Sequence, residues 1–444
     1  MELVVLFLLF LLMPLLAVLV YIIYIVVDKN LTTMVPTTTI VPTTTMVPTT
    51  TIPSPQVAKT MIGFFPNWGI YVKNFFPVNI PISVMPEISY AFFDIQPDPV
   101  TKLYKIISTD SYADTDKVFS TNSVNPPDSY GDANPVHGCI GQFMKLKTLG
   151  NNFSLRMGIG GWTLSKNFSS AVADSANRNS FAQSIVNFII KYPIFTGIDI
   201  DWEYLSNNNI NYGNTGNTVS VNDAVNFTLF LTLLKSLLST ANLQNVTIGV
   251  TVTPAPEKIA FDPTTIISLV DYIEIMTYDF HDGAWGETIS SHNSNPRKSS
   301  YGKYSCEESA DAWIAKGVPS TKILIGAAYY SRGFSNTLGL GKVASGGSTD
   351  ISTQVGIVNY GSLPLQGATE YLDPESKSAY SYDPVKKVFN SYDNPESVIE
   401  KCRIVFEKNL KGIISWDLST DAITGSARNL SSVIYKNLIT NPIL

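Results

Sequence analysis

Cysteine, histidine and charge are all scarce in this sequence. Its three cysteines, Cys139, Cys306 and Cys402, are too few and too far apart for a disulfide scaffold or a thiolate zinc site. At most one bridge can form. Cys306 and Cys402 fall in two helical stretches that can be neighbours, and two buried free thiols is the preferred reading. His137, His281 and His292 show no metal-ligand spacing, so no metal and no cofactor are expected. Only 15% of residues are charged, the formal net charge is −6 and there is no basic cluster, which argues against a nucleic-acid partner. A neutral substrate fits better. Aromatic residues make up 11% of the chain, and most of its six tryptophans stand in Gly-rich or polar strand-end stretches rather than in apolar runs. Exposed rings placed this way grip neutral polymers such as polysaccharides, because a ring face offers apolar area beside a polar edge.

The length of 444 residues fits two or three average domains or one decorated barrel. Residues 3–27 are an apolar run long enough to cross a bilayer and longer than the core of a typical signal peptide. The run reads as a transmembrane signal anchor over residues 1–29, with a cleaved signal peptide as the alternative. Orientation is weakly signalled, with Glu2 before the run and Lys29 after it, but the expected placement puts the rest of the chain outside the cell or in a lumen. From Met34 a unit of the type Met-Val-Pro-Thr-Thr-Thr repeats as far as Pro55. Such a tract cannot pack a core and is expected, over residues 30–57, to form an extended stalk or linker. Sequons at Asn30, Asn152, Asn167, Asn226, Asn245 and Asn429 agree with passage through a secretory lumen.

Residues 58–444 alternate strand-like apolar runs with helical patterns. The runs are 61–65, 88–93, 155–159, 197–202, 246–252, 272–277, 323–328 and 412–416, with helical stretches such as 179–191, 225–238, 306–315 and 395–408 between them. Eight such units predict an α/β fold, a closed (β/α)8 TIM barrel. Residues 331–394 are too long for a simple connection. Their short alternating runs, at 355–359 and 385–392, predict a small α+β, mainly β, insertion domain walling one side of a cleft.

The stretch Phe195-Thr196-Gly197-Ile198-Asp199-Ile200-Asp201-Trp202-Glu203-Tyr204 alternates three carboxylates with three large apolar residues. On a strand, Asp199, Asp201 and Glu203 share one face, and Ile198, Ile200 and Trp202 the other. Burying three carboxylates in a row costs on the order of several kcal/mol, so the row must share protons or bind something. Glu203 falls at the strand's C-terminal end, where parallel barrels hold their catalytic groups.

These residues resemble the Asp-x-x-Asp-x-Asp-x-Glu signature of family 18 glycoside hydrolases, the chitinases. Met157-Gly158-Ile159-Gly160-Gly161-Trp162 is similar to that family's third-strand motif, and Met276-Thr277-Tyr278-Asp279 to its sixth-strand motif. Gly412 to Trp416 is similar to its terminal strand, and the opening stretch and the insertion look most like the bacterial and viral branch. The resemblance implies a chitinase cleaving β-1,4 links between N-acetylglucosamine units, acting on chitin or chitin oligosaccharides, and a monomer is expected. Glu203 is the member of the row placed to protonate the leaving oxygen. With no opposing carboxylate evident, the substrate's own acetamido oxygen is the expected nucleophile. By the same resemblance Asp201 would stabilise the oxazolinium ion and Tyr278 would donate to the acetamido group, with Asp199 supporting Asp201. Trp416 would floor the reacting sugar's subsite and Asp279 bind sugar hydroxyls. Trp162 and Trp285 would stack on the leaving-group side and Trp68 on the far non-reducing side. Met276, Tyr330 and Arg332 would add sugar contacts.

Three positions depart from the pattern: Thr196 replaces the first Asp of the signature, Gly158 a Ser, and Phe64 a Tyr common in relatives. The last two hydroxyls would serve Asp199, so Asp199 is expected to lack donors and to share a proton with Asp201. The competing readings are a chitin lectin that has lost catalysis, against which the intact Asp201 and Glu203 argue, and a hydrolase of another N-acetylglucosamine glycan. Trp202 and Trp313 are assigned to the core, and His281 to a solvated loop.

Overall fold

Apolar runs that alternate faces with period two, separated by amphipathic helical stretches, can bury both sides only as a closed parallel sheet ringed by helices. The computed structural model of the protein describes residues 58–131, 136–206, 208–258, 262–348 and 354–442. Its strands are, in chain order, β1 (Thr60–Pro66), β2 (Glu87–Pro97), β3 (Tyr104–Ser108), β4 (Ser154–Gly160), β5 (Phe195–Asp201), β6 (Thr247–Val252), β7 (Tyr272–Ile275) and β8 (Ile323–Ala328), followed by β9 (Tyr330–Phe334), β10 (Ile357–Asn359), β11 (Thr369–Leu372), β12 (Ala379–Asp383), β13 (Val388–Tyr392) and β14 (Gly412–Trp416). Eight of them, in the order β1-β14-β8-β7-β6-β5-β4-β2, form a parallel sheet that closes by pairing β1 with β2. This is the expected TIM barrel, and β3 adds an antiparallel ribbon to β2.

The alternation sorts residues as its period requires. Met61 and Phe65 of β1 join the core between sheet and helices, whereas Ile62 and Phe64 join a second cluster with Leu324, Ile414 and Met276. Helix Ser175–Lys191 starts where the Asp174 side chain accepts from Asn177 N, and buries Phe181, Ile185 and Ile189 on one face. Phe181 stacks on Phe230 of the next helix, Asp223–Thr240, with ring centroids 4.6 Å apart. Trp202 and Trp313 are core residues as read, and Cys139, Cys306 and Cys402 are buried free thiols.

Between β8 and β14 the insertion forms an antiparallel sheet in the order β10-β9-β13-β12-β11. The α component expected for it is absent among the described residues, where only the short helical turn Tyr360–Ser362 accompanies the strands. Two other expectations are settled unevenly. The apolar segment and the stalk lie outside the described residues, among which no helix is long and apolar enough to cross a membrane. The sequon at Asn429 is not a surface acceptor: that side chain is buried and donates to Asp421 and to the Ala422 carbonyl.

Among the ion pairs that tie the insertion to the barrel, one is wholly buried. Lys401, on helix Pro395–Glu407, is fully buried, and its Nζ reaches Asp393 Oδ2 at 2.6 Å, Ser294 Oγ at 2.6 Å and the Gly326 carbonyl at 2.9 Å. Asp393 Oδ2 in turn accepts from Ala328 N at 2.9 Å. Replacing the lysine strands a carboxylate in the interior, so Lys401→Met is expected to lower stability by about 3–5 kcal/mol. Chemical denaturation measures it, and a loss below about 1 kcal/mol, the scale of a surface pair, would show that this buried pair does not hold the two parts together.

Candidate active site

The C-terminal ends of the barrel strands and the insertion enclose a cleft of about 1580 Å³. Glycine makes its floor possible. A Cβ on Gly160, whose φ is +104°, would lie 2.2 Å from the Asp201 carbonyl, so only glycine lets β4 press against the end of β5. Gly161 N then donates to that carbonyl at 2.8 Å, and Glu203 N donates to Ser165 Oγ at 2.9 Å. Asn217 closes the other side, its Nδ2 donating to the Glu203 carbonyl at 2.9 Å. The backbone around Glu203 is therefore fixed from two directions while its side chain faces the cleft.

Burial dominates the electrostatics. Glu203 is pushed well above the usual carboxylate range by burial first and then by the charge of Asp201, against the opposing pull of the Tyr204 hydroxyl. Asp201 is pushed up to about 7 by burial, with the charge of Asp199 adding to it and donation from Thr251 Oγ1 opposing it. Tyr278, whose ring packs on Gly326, is held well above the ordinary phenol range by burial and by the carboxylates of Asp201, Asp279 and Glu203. Two carboxyls held above their usual range and a phenol thus line the same cleft.

Asp279 sits in the left-handed region, at φ 58°, a conformation Asp tolerates better than most residues. The turn is pinned by Asn293 Oδ1, which accepts from Asp279 N at 2.9 Å. Its Oδ1 accepts from the Tyr330 hydroxyl at 2.5 Å and from Arg332 Nε at 2.7 Å. Arg332 also bonds the buried Asp282 at 2.8 Å and lies 4.7 Å over the Trp285 ring, so its guanidinium organises the wall. His281 is not the solvated loop residue expected. Its Nε2 accepts from Lys303 N at 3.2 Å, which leaves Nδ1 to donate to Glu287 at 2.9 Å.

Every site residue expected from the sequence lines the cleft except Asp199, which is buried beneath it. Trp68, Trp162 and Trp285 are 43%, 50% and 53% exposed, so their ring faces are open to a ligand. Trp416 lies 6.3 Å from the Trp68 ring and packs on Phe92 at 5.5 Å in a stacked arrangement and on Phe64 at 5.6 Å edge-on. Phe92 was not anticipated; in an unbroken apolar strand nothing marks it apart from a core residue. Thr251, Asn293, Arg156 and Glu274 were also missed. For the last two a signal existed: a single charge stands inside each of two runs, Leu155-Arg156-Met157 and Ile273-Glu274-Ile275, that the fold buries.

The sequence comparison agrees with this geometry. Residues 60–421 match the profile described as glycosyl hydrolases family 18. The chain belongs to that family. It is 34% identical over 375 residues to endochitinase 1 of Metarhizium robertsii, covering 81% of this chain and 80% of that protein. Chitinase A1 of Niallia circulans is 30% identical over 411 residues, covering 81% of this chain and 56% of that protein, and a baculoviral chitinase also matches. The catalytic domain of psychrophilic chitinase B from Arthrobacter TAD20 superposes with a TM-score of 0.77 at 25% identity, covering 86% of this chain and 96% of that one. The protein is thus a chitinase-like glycosidase.

The three departures from the family pattern look different in this family 18 enzyme than in its sequence. Thr196 is exposed at the start of β5, away from the cleft floor. A Cβ at Gly158 would meet the Phe92 ring at 2.9 Å and the Tyr90 carbonyl at 3.0 Å, so an aromatic packing layer occupies the space of the expected hydroxyl. Asp199 does not lack donors: Arg156 Nε and Nη2 reach its Oδ1 at 2.7 and 2.6 Å from below. The expectation that Asp199 is left without support is corrected accordingly.

The raised pKa of Asp201 has a consequence for stability. Folded protein keeps this proton up to about pH 7, whereas the unfolded chain releases it near 3.8, the ordinary value for an aspartate. The unfolded state therefore binds fewer protons between those limits, and stability falls as pH rises through them. Asp201→Asn removes that term. Its stability gain over the wild type is expected to grow from about pH 4 to pH 7 and then level off, at on the order of 1 kcal/mol or more. Thermal melts across that range test it; a gain independent of pH would mean that Asp201 is ionised throughout.

Proposed function

We propose that this enzyme hydrolyses β-1,4 linkages of chitin with retention of configuration, Glu203 serving as general acid and the substrate's acetamido oxygen as nucleophile. The observation that carries this reading is the state of the cleft carboxylates. Burial holds Glu203, at the cleft floor, well above the usual carboxylate range. Asp279 is engaged by Arg332 and Tyr330, Glu287 by His281, and Asp417 by Ser419 N at 2.8 Å. Among the described residues each of these carboxylates across the cleft already accepts a hydrogen bond, which favours the substrate-assisted exception to the two-carboxylate scheme.

In this mechanism a sugar rests on Trp416 with its anomeric carbon above the acidic row. Glu203 gives its proton to the departing oxygen as the acetamido oxygen closes on the anomeric carbon. Asp201 accepts the acetamido N–H and stabilises the positive ring that forms, while the Tyr278 hydroxyl donates to the acetamido oxygen. Glu203, now a carboxylate, takes a proton from water, which attacks the same face and restores the β configuration. The open faces of Trp162 and Trp285 would hold sugars on one side of the scissile bond and Trp68 on the other, a row suited to a long linear polymer.

Glu203→Gln keeps shape and hydrogen bonding but has no transferable proton. It is expected to lower kcat on chitin oligosaccharides by about 100-fold or more while binding is retained. Proton NMR of fresh wild-type product is expected to show the β anomer first. Initial α anomer would rule out the mechanism, and a folded wild type that binds oligosaccharides without cleaving them would make the protein a lectin.

The apolar run at residues 3–27 and the Thr/Pro repeat after it support a further part of the reading, that the barrel works on the outer or lumenal side of a membrane. Expressed at full length in a secretory host, the protein is expected to pellet with membranes and to need detergent for release. Appearance in the medium without its first residues would point to a cleaved signal peptide.

A further inference from the structure

A second charged layer lies under the acidic row, inside the barrel and closed to the cleft. Arg156 of β4 is wholly buried. Besides its two bonds to Asp199 Oδ1, its Nη1 reaches Glu87 Oε2 at 3.1 Å and Thr247 Oγ1 at 2.6 Å, and its Nη2 donates to the Ile198 carbonyl at 3.1 Å. Glu87 Oε1 accepts from Thr60 at 2.7 Å and from Tyr272 at 3.2 Å. Glu87 and Asp199 are thus directly paired with the one cation.

A third carboxyl has no such partner. Glu274 of β7 is buried and within hydrogen-bond reach of Asp199, yet neither of its oxygens, nor Asp199 Oδ2, takes a bond from any N–H or O–H group among the described residues. The two side chains converge over Gly249, where a Cβ would lie 2.1 Å from Glu274 Oε1 and 2.6 Å from Asp199 Oδ1. With Glu87, Asp199 and Glu274 all ionised against one guanidinium, the enclosed layer would carry a net negative charge with no water to solvate it. A proton on Glu274 removes that charge. It also lets the unpartnered Glu274 carboxyl donate one O–H···O⁻ bond to Asp199, the strong kind.

We propose that Glu274 is permanently protonated and donates to Asp199, and that it acts with Arg156 as a positioning residue, fixing Asp199 as an ionised carboxylate beneath Asp201. The proposal rests on the reading of Glu203 and Asp201 given above and deepens it. Asp199 is then not a proton reservoir for the row. Its constant charge faces Asp201 and holds the proton that Asp201 and Glu203 share on the cleft side, which replaces the hydroxyl donors missing at Gly158 and Phe64. Burial and the charge of Asp199 push Glu274 well up, against the pull of Arg156, in agreement with the geometry. The other ionisable or polar groups facing this layer are Asp201 and Glu203 above it, Thr60 from β1, Glu87 and Ser89 from β2, Thr247 and Thr251 from β6, and Tyr272 and Tyr278 from β7 and the turn after it. Strands β1, β8 and β14 contribute apolar Phe64, Leu324 and Ile414.

The test compares Glu274→Met, Glu274→Gln and Arg156→Lys in the full-length enzyme, reading kcat and KM for chitin oligosaccharides against pH, with a melt of each variant. Glu274→Met removes the donor, so Asp199 takes up a proton more readily and its push on Asp201 weakens. The basic limb of the kcat profile should move to lower pH and kcat should fall about tenfold, the equivalent of one hydrogen bond to a charged group, with KM unchanged. Glu274→Gln keeps an N–H donor and should recover most of that loss, whereas Arg156→Lys, which cannot reproduce the forked contact, should behave like Glu274→Met. Infrared spectra supply a readout independent of turnover. Wild type should show a protonated-carboxyl C=O band that persists well above the Asp201 transition and is absent in Glu274→Gln.

Absence of that band, a Glu274→Gln enzyme as impaired as Glu274→Met, or folded Glu274→Met and Arg156→Lys enzymes with the wild-type pH profile would each overturn the proposal. If Glu274→Met or Arg156→Lys does not fold, the band and the Glu274→Gln profile still decide it. Should Glu203→Gln retain turnover, the catalytic reading fails while the infrared band remains an independent measure of the proton on Glu274.

Discussion

The constraint on which this molecule depends is the desolvation of carboxylates on one strand of a closed barrel. Glu203, just beyond the strand, Asp201 and Asp199 descend in that order from the cleft into the interior, and Asp199 is closed to it. An enclosed acid must be paired, hydrogen-bonded or neutral. All three solutions occur here. Asp199 is paired with Arg156, Asp201 accepts from Thr251, and burial lifts Asp201 and Glu203 toward their neutral forms. In the proposed mechanism the feature that strains the fold also supplies the acid: a carboxyl that still holds a proton where an exposed one would have lost it.

The cleft walls follow from a different balance. Sugar rings need flat apolar faces that stay put without being covered. Trp416 is fixed from behind by Phe92 and Phe64, and Trp285 from one side by the guanidinium of Arg332, itself held by Asp279 and Asp282. The insertion supplies Tyr330 and Arg332 from its first strand, β9, which follows β8 after a single residue. Its anchorage through Lys401 and Asp393 therefore bears on how steadily those groups face the row.

Much of this was legible before any coordinates. The eight barrel strands fall within two residues of the apolar runs read from the sequence, apart from the longer end of β2, and β8 and β14 have the bounds expected. Most of the cleft residues were legible because four short motifs carry them, each at a strand end where a barrel exposes its loops. What the motifs did not mark stayed hidden. Asn293 lies in a loop where the consecutive residues Ser290 to Asn295 are all buried, a polar run that reads as solvent-exposed turn until its hydrogen bonds are seen. The insertion was expected to hold helix as well as strand, because runs of three to five residues carry too little periodicity to separate the two.

The sequence by itself determined the barrel, the acidic row and the tryptophans, since each is written in local periodicity or in a contiguous motif. Only the tertiary structure decided what Asp199 is. From the chain alone it seemed deprived of donors, because the hydroxyls expected at positions 64 and 158 are missing. Its support comes instead from Arg156 and Glu274, which lie 43 residues before it and far after it in the chain, on β4 and β7. Closing the barrel brings those two strands within reach of one carboxylate. The protonation of a buried acid is set by such contacts across the barrel and not by its neighbours in sequence, so the order of residues could show that the acids were there but not which of them keep their protons.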